Sequence, residues 1–291
     1  MNANALLDAG YRFDPADPGL IRNPYRPYYE YLRGLPGLHK AATEYYVASR
    51  YADVREVITN HAAFGQGNFV HNIQLYYGPE FDVMAHSSYR WLSEVFVMQD
   101  PPAHTRLRKL VAFALTPKRV AAMQPRIQQI VDGLIDAMLA KGEIELLWDF
   151  AYQLPTLVMC DMLGLEGDER SPASLARLTR AVAESFIVFE TRALEPELLA
   201  QADAQMDFLN DFFGRIYDRK RANPRDDLTS ALVQATDEDG SALTRAEVAN
   251  VIVAMFGAGF ETTAHMIGNG MLALHRAPGQ WQTLVANPDE I

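Results

Sequence analysis

The sequence predicts a mainly α-helical protein with one small β hairpin near its N-terminus. Three observations carry this. Helix-start signals recur down the chain: Asp100-Pro101-Pro102, Thr116-Pro117, Pro224-Arg225-Asp226-Asp227 and Thr244-Arg245-Ala246-Glu247 each set a capping residue or a proline ahead of an apolar run. The last of these runs continues to about Arg276, far longer than a strand. Residues of high β propensity gather at Tyr45-Tyr46-Val47, close to a second short run at 38–42.

Taken in order, Asn23-Pro24 opens a helix through Tyr31, with proline at the first position, where an N–H is not needed. Residues 38–42 and 45–49 form the two arms of the hairpin, and 53–58 a short helix. Residues 65–99 mix glycine and asparagine with many aromatics and read as a long loop with some helix, a kind of segment that is often functional. Asp100 then caps a helix running to about Leu115, and Thr116-Pro117 opens the next, to about Ala140. Residues 143–147 read as a strand, and 148–163 as a helix ended by Gly164. Amphipathic helices fill 171–189 and 196–221, and Pro224 to Asp227 cap a short one through Ala235. Thr244 and Glu247 form a capping box for the last helix, which runs to Pro278. That is ~33 residues, or ~50 Å at 1.5 Å per residue. Most of its faces are apolar, so it is expected to be buried. No linker or repeat divides the chain, so residues 1–291 are expected to form a single domain.

Composition narrows the function. Of 291 residues, 49% are apolar and 22% charged, as in globular proteins. The net charge of −11 disfavours nucleic-acid binding, which needs phosphates neutralised. One block departs from that balance: between Ala103 and Val131 there is no acid, and Arg106, Arg108, Lys109, Lys118, Arg119 and Arg126 all fall there. The first residues lack a basic and then apolar leader, and the apolar stretch 251–260 is too short to span a bilayer. A protein without membrane attachment is expected, and the single cysteine, Cys160, suits a reducing cytoplasm. No metal-ligand spacing links the histidines, and no metal site is expected; Asp226-Asp227 reads as a helix cap.

Two places carry chemistry. Gly257-Ala258-Gly259-Phe260-Glu261-Thr262-Thr263 lies in the middle of the long helix. Two glycines there lower helix stability by about 1 kcal/mol each against alanine, which points to a close backbone approach or a local distortion. The adjacent Glu261 and Thr262 are an acid and an alcohol inside an apolar element, which suits proton delivery. Close helix packing, with Thr262 bonding back to its own turn, explains the same residues, and both explanations stand at this point. A dinucleotide fingerprint does not fit, because its third glycine position is Thr262. The second place is His104-Thr105-Arg106-Leu107-Arg108. His104 and Arg108, four apart, share a helix face that suits a carboxylate or phosphate, although a plain basic surface helix has the same pattern. His265 follows Glu261 by one turn and reads as structural.

Together these motifs resemble the cytochrome P450 family. Residues 100–111 resemble the C-helix signature of its soluble bacterial members, and Ala258-Gly259-Phe260-Glu261-Thr262-Thr263 resembles its I-helix signature, in the same order and at a similar separation. The resemblance extends over the chain from about Asn23. It implies a haem-dependent monooxygenase that inserts one oxygen atom from O2 into an apolar small molecule, with heme b (iron protoporphyrin IX) as cofactor. By that resemblance His104 and Arg108 pair with the haem propionates, and Ala258 and Gly259 let the long helix pass close over the haem. Glu261 and Thr262 then deliver protons. Residues 65–91 match the variable loop over the substrate pocket, and 171–221 its roof. The cationic block implies docking of an acidic, ferredoxin-type electron donor.

The chain departs from the family pattern at Leu115, where phenylalanine is common, and in lacking the Glu-x-x-Arg pair and the cysteine loop that ligates the iron. It ends at Ile291, where the family continues into its K-helix, so a truncated member without the thiolate is expected, inactive by itself. Cys160 lies far upstream in an apolar helix and reads as an ordinary buried thiol. The alternative is a haem-free relative that activates a partner enzyme such as a glycosyltransferase.

Overall fold

The structure, a computed structural model, describes residues 6, 9–14, 17–22, 25–42, 45–236 and 240–288. The expected cap at Asn23-Pro24 lies outside them. Backbone contacts gather the chain into two compact units: residues 1–83 with 190–193, and residues 84–189 with 194–291.

The first unit holds helix α1 (Pro18–Arg22), a π-helical turn (Tyr25–Tyr29), α2 (Glu30–Gly34), strands β1 (His39–Lys40) and β2 (Tyr46–Val47), α3 (Tyr51–Thr59) and α4 (Phe69–Tyr77). The strands pair antiparallel, with His39 opposite Val47, where the sequence places the hairpin. Leu6, Leu20, Tyr28, Tyr31 and Leu32 form the core. Its tyrosines need polar partners. The Tyr31 hydroxyl donates to the Tyr11 carbonyl at 2.5 Å and Tyr11 to Asp17 at 3.1 Å. Burial above all, with the Asp17 carboxylate adding to it, pushes the Tyr11 phenol up to about 12.

The second unit is helical. In order it contains α5 (Ser87–Glu94), α6 (Ala103–Ala114), α7 (Pro117–Ala122), α8 (Gln124–Lys141), α9 (Gln153–Leu163), α10 (Pro172–Ser185), α11 (Pro196–Ala222), α12 (Leu228–Gln234), α13 (Arg245–Arg276) and α14 (Pro278–Ala286). α11 buries Leu199, Ala202, Met206, Leu209, Phe213, Ile216 and Lys220, a spacing of three and four that keeps one stripe inward. That stripe packs on α10 and α13, and α13 packs in turn on α9. Lys220 is only 1% exposed, so its ammonium needs acids, and it has Asp227 at 2.7 Å and Glu166 at 2.8 Å. α9 ends at Gly164 in the left-handed conformation (φ 69°). A Cβ there would run into the Asp227 carboxylate and lie 2.8 Å from Lys220 Nζ, so only glycine fits beside the ion pair.

Five expectations need correction. Residues 65–99 are mostly helix: α4, α5 and short 3₁₀ turns at Val83–Ala85 and Phe96–Met98. The reason is tertiary. In α5 the Trp91 indole donates to the Asn250 carbonyl of α13 at 3.3 Å and stacks on Phe186 at 5.2 Å, and the Asp203 carboxylate of α11 accepts from Ser88 N–H at 3.0 Å. Residues 143–147 do not form a strand. Glu145 N–H donates to Asp149 and Trp148 N–H to Glu145, both at 2.8 Å, which folds the chain into a π-helical turn at Leu147–Ala151. Asp100 is not the cap of α6; Pro102 holds that position, and Asp100 contributes its carbonyl to His104 N–H at 3.0 Å. Pro278 ends α13 but also opens α14. Finally, α13 is buried only in part. Its first half, Val248 to Phe256, is enclosed, whereas Met266 is 67% and Leu272 45% exposed. α13 is long and apolar enough by composition to cross a membrane, yet it packs inside the unit against α5, α9, α10, α11 and α12.

Candidate functional site

The centre of α13 shows why its glycines are there. The Phe186 ring lies where a Gly257 side chain would be, with Val182 Cγ1 3.0 Å from that Cβ position; at Gly259 the neighbour is Met159 Sδ, at 2.9 Å. Of the two explanations for these glycines, close packing is realised. α13 runs through them as continuous α-helix, without the distortion allowed for. Thr262 Oγ1 donates to the Ala258 carbonyl and Thr263 Oγ1 to the Gly259 carbonyl at 2.8 Å, each back-bonding along its own turn.

Successive helix residues lie about 100° apart, so Glu261 and Thr262 face different ways. Ala258 and Thr262, one turn apart, are both exposed on one face. Glu261 is half-buried and lines a cleft of about 610 Å³ between α9, α10 and α13, together with Trp148, Tyr152, Arg170, Arg180 and Phe260. Its carboxylate has no protein hydrogen bond or ion pair among the described residues.

On α6, His104 is half-buried against Phe96, rings 6.4 Å apart and near parallel, and Arg108 is exposed. Helical spacing sets the two on one side. The residue that joins this helix to α13 is Arg106, which the sequence placed only in the cationic block. Its Nη1 donates to Glu247 Oε1 at 2.6 Å and its Nη2 to the Ala242 carbonyl at 3.0 Å. Glu247 Oε2 accepts from Thr244 N–H at 2.7 Å, completing the predicted capping box. Burial raises the Glu247 carboxyl, but Arg106 and the Thr244 N–H together outweigh it and hold the group below its usual range.

Much of the cationic block is used internally: Arg106 on Glu247, Arg126 on Asp161 at 2.6 Å, and Arg119 on Asp226 at 3.7 Å. Arg108 and Lys118 remain exposed. Cys160 is shut inside α9, and burial above all pushes its thiol up to about 11, the behaviour of a packing residue. Sequence reasoning missed Tyr152, whose hydroxyl meets His265 Nε2 at 3.1 Å across the cleft wall. Nothing local signals a partner 113 residues away.

A family model described as Cytochrome P450 matches residues 58–290. The chain is 31% identical over 276 residues to the vitamin D(3) 25-hydroxylase of Pseudonocardia autotrophica, covering 93% of this chain and 62% of that protein. It is 39% identical over 198 residues to the cytochrome P450 monooxygenase PikC of Streptomyces venezuelae, covering 67% of this chain and 44% of PikC. Among solved structures, CalO2 matches with a TM-score of 0.79 at 27% identity, over 96% of this chain and 66% of that one. P450BioI, solved with a hexadec-9Z-enoic acid-ligated acyl carrier protein, matches with a TM-score of 0.80 at 23% identity, a likeness of fold alone. These matches define a mainly helical haem-protein fold. The chain belongs to the cytochrome P450 family, and it spans under two thirds of the length of these relatives.

Proposed function

We propose that the protein acts as a haem-dependent monooxygenase, inserting one oxygen atom from O2 into an apolar small molecule. The observation that carries this is the division of labour at the centre of α13. Glu261 faces a cleft, while the neighbouring Thr262 presents its hydroxyl on an open face beside the small Ala258. Because Thr262 donates its proton to the Ala258 carbonyl, its oxygen lone pairs are left to accept from a donor on that face. On this reading Thr262 holds a water next to a bound group, and Glu261, on the cleft side of the same helix, resupplies the proton.

The residues fit a haem. Ala258 and Thr262 give α13 an exposed face of small side chains, and close packing of Gly259 on Met159 draws the helix inward there. His104 and Arg108, on one side of α6, offer a ring N–H and a guanidinium fork suited to propionate carboxylates. When bound, the haem iron supplies the binding and reduction of O2. Cys160 takes no part in holding it, so these residues do not provide the thiolate. Exposed Arg108 and Lys118 suit an acidic, ferredoxin-type electron donor, and the cytoplasm is the compartment proposed.

The test is Thr262→Ala in the full-length, haem-loaded protein, reading product formed per electron consumed. The expected result is a drop of roughly a hundredfold, at the lower end of a lost general acid–base contribution. Unchanged coupling would remove the proton-delivery role.

A further inference from the structure

We infer that Tyr152 and His265 form a proton relay that feeds Glu261, so that the cleft between α9, α10 and α13 is the proton intake of the site. This rests on the proton-delivery role proposed for Glu261 and Thr262.

The pair is built for a fixed geometry. Trp148 stacks on the Tyr152 ring at 4.9 Å and 25°, and Phe260 flanks it at 6.4 Å. The phenol is thereby held with its hydroxyl 3.1 Å from His265 Nε2. Tyr152 also lines the cleft that Glu261 lines, with Arg170 and Arg180 as the other charged groups of its wall. His265 is exposed and follows Glu261 by four residues, which places the two side chains on one side of α13, about 5–6 Å apart at Cβ. Neither His265 Nδ1 nor the Glu261 carboxylate has a protein partner among the described residues. A half-buried carboxylate left without one is costly unless water completes its bonds, and a water between these groups satisfies both. With Nε2 engaged by Tyr152, the second ring nitrogen of His265 is left for a partner on the side of α13 that the i,i+4 spacing shares with Glu261.

The proton accounting closes. Tyr152 takes a proton from cleft water on its hydroxyl oxygen as it passes its own to His265 Nε2. His265 releases the proton on Nδ1 through one water to the Glu261 carboxylate. One proton enters and one leaves, each ring nitrogen changes its role, and a flip of the imidazole resets the pair.

Two measurements test this. In the full-length protein labelled with ¹⁵N-histidine, Tyr152→Phe and Glu261→Gln are each expected to shift the His265 ring nitrogen resonances. If Glu261→Gln leaves them unmoved, the link to the carboxylate is absent and the relay is overturned. In the full-length haem-loaded protein, oxygen uptake is driven by a photoreduced flavin and measured in H2O and in D2O. His265→Asn, which keeps a hydrogen bond to Tyr152 without titrating, is expected to raise the H2O/D2O rate ratio about twofold or more. A wild-type ratio in His265→Asn alongside an altered ratio in Thr262→Ala overturns the relay and leaves the delivery role standing. Wild-type ratios in both overturn both.

Discussion

Gly257 and Gly259 are the same residue type, two apart on one helix, and the structure gives them different tolerances. A methyl at Gly257 meets the Phe186 ring, which is itself held between Trp91 at 5.2 Å and Phe189 at 5.3 Å. Phe186 is flanked by both rings and cannot shift without disturbing them, so overpacking is expected to outweigh the helix propensity that alanine adds. Gly257→Ala is expected to lower unfolding stability by about 1–2 kcal/mol, from an overpacking penalty of ~1–3 against a gain of up to ~1. At Gly259 the obstacle is the thioether of Met159, the end of a flexible side chain. Gly259→Ala is expected to be neutral or slightly stabilising. Urea denaturation of the two variants checks the contrast, and Phe186→Leu added to Gly257→Ala should recover part of the loss. A larger loss at Gly259 than at Gly257 would show that the ring contact does not set the tolerance.

At the scale of elements, the Arg106–Glu247 pair joins α6 to the start of α13, and Glu247 also closes the capping box. Its carboxyl is held below its ordinary value near 4.5, burial opposing and Arg106 outweighing. A depressed carboxyl contributes stability that is fully present above the unfolded value and is lost as pH falls through the folded one. Glu247→Gln is therefore expected to be about 1–3 kcal/mol less stable than wild type at pH 7. The gap should close as the pH drops below about 4.5, read as thermal midpoints of the two proteins across pH. A gap that widens on acidification reverses the sign and removes the assignment. This pair also marks where the sequence was legible. The capping box was readable because Thr244 and Glu247 are three residues apart, and α11 because its apolar spacing is regular. The role of Arg106 was not, since its acceptor is 141 residues away. Residues 65–99 resemble a loop because the partners that make α5 a helix, Asn250, Phe186 and Asp203, lie on other elements. The strand assigned to 143–147 fails for the opposite reason: Glu145 and Asp149 satisfy the backbone locally before any ladder forms. In the candidate site, Glu261, Thr262, His104 and Arg108 were named from short motifs, whereas the cleft beside Glu261 and the Tyr152–His265 bond arise only once α9, α10 and α13 pack together.

For the whole molecule, the haem proposal requires two motifs, on α6 and α13, to serve one group. α13 is 32 residues long, about 48 Å at 1.5 Å per residue, and it is fixed by α9, α10 and α11. Arg106 then sets α6 against the start of that rigid axis, which brings His104 and Arg108 under the same control. Loss of haem contacts and loss of fold are thus separable. His104→Ala with Arg108→Ala removes two donors from half-buried and exposed positions that carry little of the core. In the full-length protein this double variant is expected to keep a near wild-type thermal midpoint in the haem-free form. It should release haem to excess apomyoglobin roughly a hundredfold faster or more, since two charge-assisted hydrogen bonds of about 1.5–3 kcal/mol each are removed. Arg106→Ala is expected to do the reverse first, lowering the haem-free midpoint because Glu247 is left half-buried without its cation. Wild-type haem release from the double variant would mean that α6 does not hold the propionates. The exposed face at Ala258 and Thr262 would then have to hold the haem with partners other than His104 and Arg108.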